Sequence, residues 1–281
     1  MRFVSKRFFC HAGLLLAVFS SLSTLPALVL AESILQVLPT RVVLEGGKRS
    51  VTVTLINRGD EEGNYRMFFR NIRANDNGEF SEIETAIEGE RFADKMVRFS
   101  PRRIMVPARS KQSIRVLLRK PPELDNGEYR SHLVFRKLPA QNSLMDEDAG
   151  ENAVGFALRP IVEVTIPVIV RHGETEATMS LSDASLISPN EFEKALQFTI
   201  NREGNRSLYG DVDVWWIDNA GQKQNVAMAR GIAVYTPNDK RIFSLPVDLL
   251  GKSANEGKLL LEFSEDPAYG GSLKASLEQN L

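Results

Sequence analysis

The side chains that most often carry enzymatic chemistry are scarce in this chain of 281 residues. It has a single cysteine, Cys10, and only two of its three histidines, His132 and His172, lie beyond residue 31. These two histidines do not have the spacing of a His-Glu-x-x-His zinc motif. The sequence also lacks a Gly-x-Ser-x-Gly nucleophile elbow and a glycine-rich phosphate loop. We therefore predict a protein that is not an enzyme and that holds no metal ion and no cofactor.

Carboxylates are plentiful, with 36 Asp and Glu residues, so a secreted hydrolase with two catalytic carboxylates stays an alternative. The formal net charge is −1, and the basic residues Arg2, Lys6 and Arg7 precede the first acidic residue, Glu32. A protein that binds a nucleic acid duplex needs a local surplus of basic residues, because it must neutralise phosphates. We therefore expect no nucleic acid partner.

Residues 1–31 have the pattern of a secretory signal peptide. Basic residues come first, an apolar stretch covers 8–30, and Val29 and Ala31 fit the −3 and −1 positions of a cleavage site before Glu32. An uncleaved membrane anchor is the alternative, since about 20 apolar residues can span a bilayer. We expect cleavage, export and no stable membrane insertion of the mature chain. Because Cys10 lies in the removed segment, the mature protein has no disulfide.

Apolar and polar residues alternate with a period of two along most of the remaining chain, as in 51–55. Turn signals such as Asp125-Asn126-Gly127 separate these runs, because Gly, Asn and Asp tolerate the backbone angles of tight hairpins. Short strands between regularly spaced turns are typical of β-sandwiches. A second series of strands begins near residue 176. The sequence thus predicts an all-β protein with two β-sandwich domains, at 32–172 and 176–281.

The longest alternating run extends from Val154 to Arg171, and its even positions are apolar or proline. At about 3.3 Å per residue it could extend over more than roughly 50 Å, two to three times an ordinary strand. Pro160 and Pro167 cannot donate ladder hydrogen bonds, and sheets tolerate proline at edges, strand starts and bulges. The run is therefore either a core strand that its own domain buries or an apolar edge that pairs with another chain.

The order and spacing of several segments resemble the periplasmic chaperones of the chaperone–usher pathway of pilus assembly, over nearly all of the mature chain. The segments that carry the resemblance are Pro39–Gly46, Val51–Asn57, Pro101–Ala108, Gly127–Leu133 and Arg136–Pro139. Within them, Tyr129-Arg130-Ser131-His132 is similar to the archaic or alternative branch of these chaperones. The resemblance implies two immunoglobulin-like β-sandwich domains in an L-shaped arrangement and a periplasmic protein without enzymatic activity.

The resemblance also implies a function in fimbrium biogenesis. Such a chaperone binds a pilus or fimbrial subunit that lacks its last strand, and delivers it to an outer-membrane usher. It inserts its own strand into the open groove of the subunit, which is donor-strand complementation. The register of the family gives four donated residues: Phe156, Leu158, Val162 and Val164. The alternative is an exported two-domain immunoglobulin-like adhesion or assembly module that keeps this strand for itself.

A pair of cations in such chaperones binds the C-terminal carboxylate of the client at the base of the interdomain cleft. Arg41 matches the arginine of this pair, and a guanidinium can bind a carboxylate through two parallel hydrogen bonds. The lysine position falls near Pro167, and the sequence has no lysine between 138 and 193. Three arginines are alternatives for this second position: Arg103, Arg130 and Arg159.

The resemblance finally implies an ionic network between the two domains. Glu128 and Arg171 match two of its members, and Asp266, shortly before Tyr269, matches the third. Ion pairs between exposed side chains contribute under about 1 kcal/mol each. The implied role of the network is therefore to fix the angle between the domains.

Overall fold

The structure is a computed structural model that describes residues 33–139, 160–189, 193–249, 252 and 257–280. The predicted signal peptide and the predicted donor residues Phe156 and Leu158 lie outside these ranges. In the described ranges the regular structure consists of strands β1 to β18 and a 3-10 turn at Pro267–Tyr269. The same part of the chain contains no helix whose length and hydrophobicity would let it span a lipid bilayer.

Eleven strands lie among the described residues of the first domain. They are β1 (Leu35–Leu38), β2 (Val42–Leu44), β3 (Ser50–Asn57), β4 (Gly63–Arg70), β5 (Ile72–Ala74), β6 (Phe80–Glu82), β7 (Val97–Ser100), β8 (Arg103–Val106), β9 (Lys111–Leu118), β10 (Gly127–Lys137) and β11 (Glu163–His172). One sheet has the order β1-β3-β9-β7, and the other has the order β2-β11-β10-β4-β8. β5 and β6 form a separate hairpin. The two larger sheets enclose the core of the domain.

The period-two alternation of the sequence accounts for this core. In β3, Val53 and Leu55 have no exposed surface, whereas Thr52 between two inward positions is exposed. Leu133 and Phe135 of β10 reach the same cluster from the opposite sheet. Successive side chains of a strand point to opposite faces, so every second residue can be buried between the sheets.

In the second domain, the part of the chain that the structure describes has seven strands. They are β12 (Ala177–Ile187), β13 (Ala195–Gly204), β14 (Leu208–Asp218), β15 (Lys223–Val234), β16 (Lys240–Pro246), β17 (Gly257–Glu265) and β18 (Lys274–Asn280). They form a three-stranded sheet, β12-β13-β16, and a four-stranded sheet, β15-β14-β17-β18. Phe198, Leu259 and Phe263 are fully buried between these sheets. This domain therefore has a hydrophobic core of its own.

The predicted fold class, all-β with two immunoglobulin-like β-sandwiches, is confirmed. The buried residues of the two cores come from 37–170 and from 181–263. The domain limits 32–172 and 176–281 stay a proposal, and so does the L-shaped arrangement. The two cores follow one another in the chain without interleaving, which is consistent with a hinge between them.

A third hydrophobic cluster joins the two domains. Val43, Ala74 and Ile169 of the first domain pack against Ala233 and Tyr235 of the second. Ile169 has no exposed surface, although it lies on the outer face of its sheet. The second domain therefore covers part of the outer face of the β2-β11-β10 sheet.

The hairpin of β5 and β6 also contacts the second domain, through its backbone. The side-chain amide of Asn238 donates to the carbonyl of Ala74 at 3.0 Å. The N–H of Ile242 donates to the carbonyl of Asp76 at 2.7 Å. The hairpin thus bridges the domains beside the third hydrophobic cluster.

Candidate functional site

The edge of β11 is the first part of the candidate site. β11 pairs antiparallel with β10 along its whole length. On its other side it pairs with β2 over 168–170 only, so within the described residues 163–167 have a ladder partner on one side. An edge of this kind presents unpaired backbone groups that can accept a strand of another chain.

The direction of the backbone groups follows from the register. Lys137 donates its N–H to the carbonyl of Val162 at 3.0 Å, so these two residues form a hydrogen-bonded pair. Because such pairs alternate with non-bonded pairs in an antiparallel ladder, Val164 and Ile166 also bond to β10. The N–H groups of Glu163 and Thr165 therefore point away from β10. They lie on the side where an added strand would pair.

The predicted donor residues Val162 and Val164 differ in exposure. Val162 precedes β11 and is 44% exposed, and its neighbour Ile161 is 71% exposed. Val164 is half-buried and packs against the core of its own domain, opposite Phe135. Exposed aliphatic side chains next to an incomplete ladder are unfavourable in water, so this end of the strand is the part suited to contact a partner.

Glu163 forms two ion pairs beside this edge, with arginines of the neighbouring strands. Its carboxylate accepts hydrogen bonds from Arg70 at 2.7 Å and from Arg136 at 2.5 Å. Burial alone would raise the pKa of Glu163, but the hydrogen bonds from the two arginines outweigh it and lower this pKa. The ionised Glu163 thereby ties β11 to β10 and β4 close to the incomplete part of the ladder.

Arg41, the predicted anchor, lies between the two domains rather than on an open surface. It directly precedes β2 and is only 3% exposed. Its Nη2 donates to the hydroxyl of Tyr235 at 2.7 Å. Its guanidinium carbon lies 3.9 Å from the ring centroid of Tyr209 and 5.2 Å from that of Tyr235. Arg41 is thus stacked on two aromatic rings of the second domain.

Arg130 and His132 of β10 lie in the same interdomain region. The guanidinium carbon of Arg130 is 4.0 Å from the ring centroid of Tyr235, and its Nη2 donates to the carbonyl of Ile72 at 3.3 Å. His132 is 4% exposed. Burial, followed by the positive charges of Arg130 and Arg41, lowers the pKa of His132 to about 3. His132 is therefore neutral at physiological pH.

The predicted network residues Glu128 and Arg171 are in direct contact. The Nε of Arg171 donates to Glu128 at 3.2 Å, and its Nη1 donates to Glu45 at 3.0 Å. Glu128 also accepts from the N–H and the hydroxyl of Ser207, which belongs to the second domain. Because Glu128 and Arg171 are both more than nine-tenths buried, this network connects the domains with well-satisfied hydrogen bonds.

Asp266 has a different contact from the one that the resemblance implies. Its carboxylate accepts the N–H of Ala268 at 2.9 Å and caps the 3-10 turn. The backbone carbonyl of Tyr269, in this turn, accepts from Nη1 of Arg171 at 3.1 Å. The second domain therefore reaches Arg171 through a carbonyl that the Asp266 cap positions.

Sequence reasoning missed the two tyrosines of the second domain, Tyr209 and Tyr235. Tyr209 lies in β14, and Tyr235 follows β15 directly. The alternation places both in strand-rich segments, but no local pattern distinguishes them from other strand residues. Their proximity to Arg41 arises from the packing of the domains, across 194 residues in the case of Tyr235.

Several solved structures are similar to this chain. The class 5 fimbriae chaperone CfaA has 17% identity over 88% of this chain and 98% of that chain, with a TM-score of 0.45. The Pseudomonas aeruginosa chaperone CupB2 has 14% identity over 88% and 100%, with a TM-score of 0.42. A complex of CsuC with the tip subunit CsuE, from archaic Csu pili of Acinetobacter baumannii, has 12% identity over 87% and 97%, with a TM-score of 0.45. No family model and no curated protein matches this sequence.

Proposed function

We propose that the protein is a periplasmic chaperone that binds pilus or fimbrial subunits by donor-strand complementation and passes them to an outer-membrane usher. The observation that carries this proposal is the incomplete ladder of β11, where 163–167 pair with β10 on one side and exposed aliphatic residues precede them. A client strand that pairs with this edge would gain backbone hydrogen bonds from Glu163 and Thr165. Export with loss of 1–31 is part of the same proposal.

Side chains of the donor strand make the second contribution to binding of the client. Phe156, Leu158, Val162 and Val164 are the proposed donors, and they alternate so that one face of the strand enters the groove of the client. Val162 is 44% exposed and loses this contact with water when a client covers it. A fully buried large aliphatic side chain contributes about 1.5–3 kcal/mol, so a few such side chains can keep an incomplete subunit folded.

Arg41 is the proposed anchor of the client's C-terminal carboxylate. Its two aromatic neighbours restrict the guanidinium, and a restricted guanidinium loses little entropy when it binds a carboxylate through two parallel bonds. A fixed anchor would set the register of the client strand along β11. Glu128 and Arg171 support this arrangement because they connect the domains close to the anchor.

Co-expression with a candidate subunit tests the proposed function. The variant with Leu158→Asp and Val162→Asp should lose recovery of the subunit in pull-down from a periplasmic extract, because two carboxylates cannot enter an apolar groove. Met228→Asp is the matched control: Met228 is 56% exposed on β15 of the second domain, so its replacement should leave recovery unchanged. Equal recovery with the double variant and the wild type would contradict strand donation. That result would favour an adhesion or assembly module that keeps its own strand.

A further inference from the structure

Among the described strands, β16 lies at an edge of its sheet and pairs with β13 alone. Arg202 of β13 donates its N–H to the carbonyl of Asp239 at 2.7 Å, so these two residues form a hydrogen-bonded pair. Because such pairs alternate along an antiparallel ladder, the N–H groups of Arg241 and Phe243 point to β13, whereas that of Ile242 points to the free edge. This edge therefore has a backbone donor that its own sheet does not use.

The first domain supplies the acceptor for this donor. It comes from the tip of the β5–β6 hairpin, residues 74–79, which we call the bridging turn. The carbonyl of Asp76 accepts the N–H of Ile242 at 2.7 Å. The side-chain amide of Asn238 donates to the carbonyl of Ala74 at 3.0 Å and to the carboxylate of Asp76 at 3.2 Å. Because hydrogen bonds are directional, these three bonds fix the position of the bridging turn along β16.

The bridging turn is held in shape by its own residues. The side-chain oxygen of Asn75 accepts the N–H groups of Asn77 at 3.1 Å and Glu79 at 2.9 Å. The N–H of Gly78 donates to the carbonyl of Asn75 at 2.9 Å, and Gly78 has a φ of 83°, which favours glycine. A turn that is already ordered loses little conformational entropy when it contacts another domain. It can therefore present the Asp76 carbonyl to β16 in one orientation.

The base of the same hairpin is attached to the first domain. Arg70 of β4 forms an ion pair with Glu82 of β6 at 3.0 Å, and Arg73 of β5 forms one with Glu90 at 2.7 Å. Glu90 is buried, so this second pair is shielded from water. The N–H of Ile83 also donates to the backbone of the first domain, at 3.0 Å. A hairpin that is bonded at both ends resists movement of one domain relative to the other.

The other interdomain contacts do not by themselves define one angle between the domains. The third hydrophobic cluster is small, and apolar contact is non-directional. The network of Glu128 and Arg171 reaches the second domain through Ser207 and the carbonyl of Tyr269, at the start of β10 and the end of β11. Two bodies that are joined in one place can still rotate about it, and relative motion of domains is the usual expectation for a small interface. A second attachment at the bridging turn opposes this rotation.

We propose that the β5–β6 hairpin is a latch between the domains: it caps the free edge of β16 and, together with the Glu128 network, fixes the angle between the two β-sandwiches. The network was expected to have this role, and the latch adds an attachment from a different part of the fold. The inference does not depend on the proposed function, because it concerns the free protein. Loss of the bonds at the bridging turn should let the second domain rotate while both cores stay folded.

Two substitutions open the latch, one from each domain. Asn238→Ala removes two of its three hydrogen bonds. Gly78→Val puts a β-branched residue at a positive φ and a Cβ atom 2.5 Å from Nη2 of Arg241, so the bridging turn must move away from β16. The matched controls are Asn64→Ala, at an exposed amide of β4, and Gly221→Val. Gly221 has a φ of 81° in a turn of the second domain, where an added Cβ would meet no atom within 4 Å.

Hydrogen exchange of backbone amides in the mature full-length chain measures the latch itself. The amide of Ile242 should exchange about tenfold faster, or more, in Asn238→Ala and in Gly78→Val than in the wild type, because its acceptor moves away. The amides of Arg241 and Phe243, which bond to β13, are internal controls and should keep their protection. In the two control variants the amide of Ile242 should exchange at the wild-type rate.

Double electron–electron resonance between two spin labels measures the angle between the domains. Met105→Cys in β8 and Met228→Cys in β15 provide one exposed label site in each domain. The chain beyond residue 31 has no other cysteine that could be labelled. The distribution of label distances should be narrow when the latch is intact, broader in Asn238→Ala and Gly78→Val, and unchanged in the two control variants.

Two results would overturn the inference. The first is fast exchange of the Ile242 amide already in the wild type, since the bond to Asp76 would then not protect it. The second is an unchanged distance distribution in Asn238→Ala although its Ile242 amide exchanges fast, because the network and the hydrophobic cluster would then hold the angle without the latch. If Gly78→Val also exposes the amide of Phe243, this variant unfolds β16, and Asn238→Ala alone decides between the two outcomes.

Discussion

Acidification should destabilise the free protein through His132, which is neutral in the folded state. The pKa of His132 is about 3 in the folded protein and 6.5 in its unperturbed state, because burial and two arginines disfavour the imidazolium. Between these values the unfolded chain binds a proton that the folded chain does not. The stabilising contribution is therefore complete above pH 6.5 and is lost as the pH falls from 6.5 towards 3.

The magnitude follows from the same two pKa values. A pH of about 5 is about 1.5 units below the pKa of this histidine in the unfolded chain. Each unit changes the free energy of unfolding by about 1.4 kcal/mol. The free energy of unfolding should thus fall by about 2 kcal/mol between about pH 7.5 and about pH 5. Glu163 and Glu265 have lowered pKa values, from 4.5, so their losses lie mainly at lower pH.

Urea denaturation followed by circular dichroism at the two pH values measures this effect. His132→Gln cannot be protonated in this range and should lack the loss of about 2 kcal/mol. His172→Gln is the matched control, since it removes the other histidine of the described residues and should retain the loss. If the free energy of unfolding decreases equally for His132→Gln and the wild type, a neutral, buried His132 is not the cause of the loss.

The remaining stability predictions compare a buried side chain with an exposed one of the same type. Glu128→Gln should lower the free energy of unfolding, measured by urea denaturation, by about 3 kcal/mol, because it leaves the buried Arg171 with a weakened partner. Glu278→Gln, in the exposed pair with Lys258, should lower it by under about 1 kcal/mol. Equal costs would contradict the network between the domains. Phe135→Ala should lower the free energy of unfolding by about 3–5 kcal/mol, because it leaves a cavity in the core. Phe80→Ala should lower it far less, because this ring is 59% exposed. A large cost at Phe80 would instead place this ring in a core.

The strands could be predicted because the alternation of apolar and polar residues is a local pattern in the sequence. In β3, the alternation of Val53 and Leu55 with threonines specifies which face is buried, and the structure has these residues in the core. In β10, Leu133 and Phe135 face the same core, but Val134 between them is also fully buried, on the other face of its sheet. Period-two burial depends only on residues that are neighbours in sequence, so a single sequence contains the information.

The interdomain region was not predictable in this way. Tyr235 contacts Arg41 across 194 residues, and no local pattern records such a contact. The resemblance led to Asp266 as the third member of the network, whereas its carboxylate caps the 3-10 turn and the carbonyl of Tyr269 contacts Arg171. A backbone carbonyl carries no residue identity, so a sequence cannot reveal it as a partner.

The incomplete ladder of β11 is tested most directly by hydrogen exchange of individual backbone amides, in the free protein and in its complex with a co-expressed subunit. We expect the amides of Glu163 and Thr165 to exchange fast in the free protein and slowly in the complex, because a client strand bonds to them. The amides of Val164 and Ile166, which already bond to β10, serve as internal controls and should be protected in both states. Glu163 and Thr165 amides that exchange equally fast with and without the bound subunit would contradict donation of this strand.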